Sequence, residues 1–104
     1  MKTLFVSRHP SSIRWIRWQP VHIDEFHENC PIEAIASGDI VIGTLPMHLA
    51  AAVCAKGARY IALTMDIPVK WRGRTLTDEE LAACDVRLVE FAVAEKGNFL
   101  NNNL

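Results

Sequence analysis

Residues 39 to 65 constrain this chain more than any other stretch. Asp39 to Gly43 reads DIVIG, a short run of branched apolar residues that suits a strand buried on both faces. Thr44 and Pro46 make a turn with a proline close to the first helical position; Met47 to Lys56 is an alanine-rich helix, and Gly57 closes it. Arg59 to Met65, RYIALTM, then returns as a strand. A strand, a ten-residue helix and a strand in so little chain form a βαβ unit, whose strands are parallel and whose crossover is right-handed.

The flanking segments must complete that sheet. Thr3 to Ser7 carries Phe5 and Val6 and reads as a buried strand. Arg8, His9 and Pro10 follow, then Ser11 and Ser12 as candidate caps of a helix whose apolar positions are Ile13, Trp15, Ile16 and Trp18, ended by Pro20. Val21 and Ile23 alternate with His22 and Asp24 as a second strand would, and Pro31 to Gly38 is an irregular connection. Asp66 to Arg74, with Pro68, Gly73 and alternating charges, is a loop that Trp71 pins to the core. Thr77 caps a short helix opened by Asp78, Glu79 and Glu80. Val86 to Val93 fits either a helix or an edge strand, and the strand is the preferred reading. The expected architecture is a small Rossmann-like α/β domain, a mostly parallel sheet with flanking helices over residues 1–97, followed by a polar tail at 98–104 that frays around Asn98 and Asn101 to Asn103.

With 104 residues the chain holds one core. A formal charge of -1 excludes the broad positive field that binds long DNA or RNA, so a nucleic-acid ligand would be small and held in a pocket. No apolar stretch reaches the roughly 20 residues of a membrane span, and the apolar start ends at Ser7, Arg8 and His9 without a secretory pattern, so the expected location is the cytoplasm. Cys30, Cys54 and Cys84 are too far apart for a zinc ribbon or redox pair and read as reduced, mostly core thiols. Cys54, set among Ala50, Ala51, Ala52, Val53 and Ala55, is more readily a core residue than a nucleophile, since desolvation raises a thiol pKa.

Two strand-to-helix corners carry candidate chemistry: Ser7, Arg8, His9, Pro10, Ser11 and Ser12, and Gly43, Thr44, Leu45, Pro46, Met47 and His48. In parallel α/β sheets such corners lie at the carboxyl ends of the strands, where helix starts offer free amides to an anion. Each combines a hydroxyl with an imidazole, and Arg8 adds a guanidinium, a composition that suits a phosphodiester. The competing reading is plain helix capping, common at such turns. Neither corner has the glycine fingerprint of a dinucleotide site or a P-loop lysine, so no NAD, ATP or other cofactor is expected. His22, Asp24 and His27 could suggest a metal, but the third ligand lacks a defined geometry and no metal is assigned. Trp15 and Trp18 suit a core or subunit contact better than a base-stacking platform, and Arg14 and Arg17 suit a solvated helix face.

FVSRHPSSIRW (Phe5 to Trp15), GDIVIGTLPMHLAAAVCAKGARYIALTMDIP (Gly38 to Pro68) and WRGRTLT (Trp71 to Thr77) resemble the small stand-alone CRISPR-associated proteins of type III systems that belong among the ring nucleases. The most specific parts are Ser-Arg-His-Pro after the first strand and Gly-Thr-Leu-Pro-x-His-Leu-Ala after the central one. The resemblance implies a homodimer of Rossmann-like, CARF-related subunits that binds cyclic oligoadenylate, chiefly cyclic tetra-adenylate, and linearises it. On that footing Arg8, His9 and His48 are the candidate catalytic residues, with Ser7, Ser11, Ser12, Gly43, Thr44, Leu45 and Pro46 as ligand contacts. Ring opening by the ribose 2′-hydroxyl needs no metal. The same pocket would serve a module that binds a cyclic nucleotide without cutting it, and a metal-dependent nuclease on His22, Asp24 and Asp66 ranks last.

Overall fold

In a computed structural model describing residues 1–102, five strands form one sheet in the order β2-β1-β3-β4-β5. They are β1 (Thr3–Val6), β2 (Glu25–His27), β3 (Ile40–Gly43), β4 (Arg59–Thr64) and β5 (Arg87–Phe91). The first four pair in parallel and β5 runs antiparallel along the β4 edge. The α/β reading, the parallel βαβ unit and the edge strand near Val86 to Val93 are thus all present. Helix α1 (Pro10–Arg17) links β1 to β2, α2 (Met47–Ala55) links β3 to β4, and α3 (Asp78–Ala82) precedes β5; a short α4 (Phe99–Asn102) lies within the expected tail, whose residues 103–104 lie outside the described residues.

Two apolar layers sandwich the sheet. Leu4, Val6 and Val41 face α2 through Ala50 and Val53, while Phe5, Ile42 and Leu63 face α1 through Ile16. This alternation along β1 and β3 is the period of two expected of strands covered on both faces. Helix α2 ends at a Schellman motif: Gly57, at φ +83°, donates to Cys54 O (3.0 Å) and Ala58 donates to Val53 O (3.3 Å). Helix α3 opens with a full capping box between Thr77 and Glu80, as expected.

Several local expectations are corrected. The second strand starts at Glu25 rather than Val21, because Asp24 ends the preceding turn: its carboxylate accepts Thr3 N–H (2.7 Å) and its amide donates to Thr3 O (2.8 Å), which sets Leu4 against Glu25. Ser11 and Ser12 do not cap α1; His9 is the N-cap residue, Pro10 opens the helix, and both serines are 4% exposed inside its first turn. Trp71 ends a 3-10 turn at Val69–Trp71 and belongs to neither core layer; it is half-buried between the cations of Lys70 and Arg74. Trp15 packs against the α1 layer, as a core residue does, while Trp18 is 87% exposed, which rules out the core but not a subunit contact for it. Of the three free cysteines only Cys84 is buried.

Candidate functional site

Strand β1 lies between β2 and β3, and the chain leaves it toward α1 while leaving β3 toward α2 on the opposite face. Such a reversal opens a crevice beyond the carboxyl ends of the strands, the usual ligand position in open α/β sheets. Here the crevice is a cleft of about 820 Å³.

Residues just past the end of each parallel strand line this cleft. Ser7, Arg8 and His9 follow β1; Glu28, Asn29 and Cys30 follow β2; Thr44, Leu45 and Pro46 follow β3; Met65 and Ile67 follow β4. The remaining wall comes from Arg74, Leu76 and Leu81, around the start of α3. The side formed by the ends of β1 and β2 is therefore polar and cationic, and the side toward α3 is apolar apart from Arg74.

The β1 corner is built by its own hydrogen bonds. Ser7 N–H donates to His27 O (2.9 Å), extending the β1–β2 ladder by one step, and Ser7 Oγ accepts the His9 amide (3.1 Å). That turn fixes His9 as N-cap, with its carbonyl accepting from Ser12 (3.1 Å) and Ile13 (3.2 Å). Pro10 carries no N–H, so the first amide that α1 can offer a ligand is that of Ser11. The Arg8 guanidinium is exposed and hydrogen-bonded to Asn29 Oδ1; among the described residues it has no carboxylate within 4.0 Å. Its charge is not neutralised by an ion pair, which leaves it available to an anion.

The β3 corner is pinned from β4. Tyr60, 6% exposed, donates its hydroxyl proton to Gly43 O (3.2 Å) and accepts Leu45 N–H (3.2 Å), while Thr44 Oγ1 donates to Leu63 O (3.1 Å). Gly43 is required by close approach: a Cβ there would lie 2.4 Å from Val6 O. The two corners therefore meet where β1 and β3 end side by side, Val6 opposite Gly43.

Of the residues expected to carry the site, Ser7, Arg8, His9, Ser11, Ser12, Thr44, Leu45 and Pro46 all line the cleft. Gly43 does not line the cleft; it ends β3 beside Val6, immediately before Thr44. His48 is set apart: it is exposed on the face of α2 that carries Ala51, Ala52 and Ala55, and lines a separate hollow closed by Ala92 to Glu95. The helical spacing of 48, 51, 52 and 55 explains this, since the first turn of α2 carries His48 round to the side away from Leu49, which does reach the cleft. The sheet-edge group also separates into pairs: His22 Nε2 meets Asp24 (3.0 Å) and His27 Nε2 meets Glu25 (2.8 Å), each imidazole with its own carboxylate. Among the described residues no three of the types that hold metals come together.

Arg74, Cys30 and the apolar wall were not expected at the site. Arg74 sits on the segment between β4 and α3, and its guanidinium forms a two-pronged ion pair with Glu80. That pairing, with the Thr77 amide (3.0 Å), holds the Glu80 carboxyl down at about 2. Burial pushes the Cys30 thiol above its ordinary value, so it is a neutral lining group. Only position after a strand end could have indicated Cys30, and nothing in the local pattern singled out Arg74 among eleven basic residues.

The comparison with curated proteins finds no match, and the comparison with solved structures finds none. A family model does match, over residues 4–94, and so takes in both cleft corners and all five strands except Thr3. The chain belongs to the family described as "Putative CRISPR-associated protein (Cas_VVA1548)".

Proposed function

We propose that this CRISPR-associated protein is a ring nuclease that binds cyclic tetra-adenylate and linearises it without a metal. The observation that supports this most is the convergence of Arg8, His9 and the start of α1 with the Thr44 to Pro46 turn in one cleft at the sheet's switch point. The apolar wall of Leu63, Met65, Ile67, Leu76 and Leu81 gives a purine a dry surface, and the Arg8 end gives a phosphate a cation and an amide.

In this reading the ribose 2′-hydroxyl attacks the adjacent phosphorus. The 2′-O–P bond forms, the P–O5′ bond breaks, the hydroxyl proton passes to a base, and the 5′-oxygen leaves as a hydroxyl after taking up a proton. The products are a 2′,3′-cyclic phosphate and a 5′-hydroxyl end. Arg8 stabilises the charge on the phosphorane, and His9, the imidazole at the mouth of α1, moves a proton. A cleft of about 820 Å³ suits a ligand of drug size, so a ring of four adenylates needs two of them. A two-fold homodimer presents the cleft twice to a ring that itself contains a two-fold axis.

One observation favours the rival reading, a module that sequesters the ring intact: with His48 on a separate hollow, His9 is the one imidazole lining the cleft among the described residues. Incubation with cyclic tetra-adenylate in excess EDTA, followed by chromatography, separates the two. Linear products with 2′,3′-cyclic phosphate ends are expected; tight binding with the ring unbroken selects the sequestering module. Activity lost in EDTA and restored by a divalent ion rejects the metal-free scheme. Light scattering at micromolar concentration is expected to give the dimer mass, and a monomer mass with and without ligand overturns the two-cleft arrangement.

A further inference from the structure

We infer that Arg74 is a second phosphate-binding cation of the cleft, presenting the Nε edge of its guanidinium to a phosphate next to the one held at Arg8. The inference rests on the reading of the cleft as a phosphodiester site and adds a residue which that reading does not use.

A guanidinium has five N–H donors arranged as two usable forks, one between the two Nη atoms and one between Nε and an Nη. In this protein the forks are used unequally. Arg14 gives its Nε and Nη2 atoms to Asp78 (2.7 Å each), and Arg59 gives the same pair to Glu90 (3.0 and 2.7 Å). Those arginines have spent the side-on fork on an acid. Arg74 instead meets Glu80 end-on, through Nη1 (2.9 Å) and Nη2, with a further long contact from Nη1 to Thr75 O (3.4 Å). Among the described residues its Nε has no hydrogen-bond partner, so the side-on fork is free.

The group is also held still. Glu80 is clamped by the Thr77 amide within the capping box (3.0 Å), and the Trp71 ring lies 5.9 Å from the guanidinium carbon. A long side chain ordinarily loses rotamer entropy when it grips a ligand, and here most of that cost is met before binding. Arg74 lines the same cleft as Arg8, but from the segment between β4 and α3 rather than from the end of β1. Two cations on different walls suit a ligand with successive phosphates, and a mononucleotide would engage only one of them.

The test compares wild-type protein with Arg74→Ala and Arg74→Lys on cyclic tetra-adenylate, measuring KM and kcat separately and binding as a function of salt. Arg74→Ala is expected to raise KM on the order of tenfold, the size of one lost hydrogen bond to a charged group, with kcat within about twofold. The slope of log affinity against log salt should fall by about 0.7, the release from one contacted phosphate of a single strand. A loss of packing alone would leave that slope unchanged. Arg74→Lys retains the charge toward Glu80 and keeps the fold if the alanine variant does not; it should keep the salt slope but raise KM several-fold, since an ammonium lacks the second fork. Wild-type KM and slope in both variants, while wild-type protein cuts the ring, overturn this role for Arg74 alone. If wild-type protein neither binds nor cuts the ring, the phosphodiester reading fails and this inference fails with it.

Discussion

Arg8 lies two residues beyond a strand of which Leu4 and Phe5 are wholly buried, yet it is itself exposed and held by a neutral amide. A cation placed this way contributes little to the fold and can interact more strongly as charge develops on a phosphorane. Arg8→Ala is expected to lower single-turnover cleavage on the order of 10²-fold, by analogy with removal of one oxyanion donor, with the melting temperature nearly unchanged. Cleavage at the wild-type rate would reduce the β1 corner to a helix cap. The positions of the two imidazoles sharpen the companion experiment. His9→Ala should slow the chemical step, whereas His48→Ala, altered on a separate hollow, should leave it within about twofold; the reverse pattern would move the proton transfer away from this cleft. Much of this was legible in the sequence. A polar turn after a buried run places its side chains at a strand's carboxyl end whatever the details of packing, so Ser7, Arg8, His9, Thr44, Leu45 and Pro46 could be located from order alone. His48 and Arg74 could not. Which way a side chain leaves the first turn of a helix, and which loop arginine returns to a cleft, depend on crossings between elements that local sequence does not encode.

Among the elements, the β1–β3 contact is the most demanding. The two strands end in register with Gly43 beside Val6, and a Cβ on Gly43 would collide with the Val6 carbonyl at 2.4 Å. That atom is backbone and cannot turn aside. Gly43→Ala is thus expected to destabilise the protein by about 1–3 kcal/mol, in the range of overpacked sites, and to weaken ligand binding because the separation of the two corners must change. Denaturant unfolding read together with affinity would check it, and unchanged values of both would show that the strand ends can part without cost. At this scale unbroken apolar patterns mark their strands, and an intervening polar side chain shifts them. DIVIG and RYIALTM correspond to β3 and β4, whereas the alternation of Val21 and Ile23 points to a strand that the chain forms only from Glu25, since Asp24 bonds the β1 backbone first. Short strands are decided by such single contacts.

For the molecule as a whole, the acidic groups set the response to pH. Glu80 is held down at about 2 from an ordinary 4.5, first by Arg74 and then by the Thr77 amide. Asp39, only 3% exposed, is lowered by the amides of Ala36 (2.9 Å) and Lys2 (3.1 Å), and Asp78 and Glu90 are lowered by Arg14 and Arg59. A carboxyl whose folded pKa is depressed contributes stability above its unfolded value and loses it as pH falls through the folded one. The melting temperature should therefore hold steady from neutral pH down to about 5 and fall through the window between about 4.5 and 2, where Glu80 takes up its proton, with the other lowered carboxyls adding to the fall below their ordinary values. Glu80→Gln should flatten part of that fall, and an unchanged profile in the variant would show that its pairing is no stronger folded than unfolded.

The cleft joins walls of different origin. The side formed by β1 and β3 belongs to strands paired on both edges, whereas the opposite side comes from residues 66 to 76, where Val69 is 79% exposed and a side chain at Gly73 would meet nothing within 4 Å. Local opening is cheap where few contacts are lost and expensive inside a central ladder. If the cleft holds a cyclic oligonucleotide, that ligand meets one surface as a template and the other as a clasp: the β1 and β3 ends fix where a phosphate lies, and residues 66 to 73 are the side that can yield around it while Arg74 keeps its hold on Glu80.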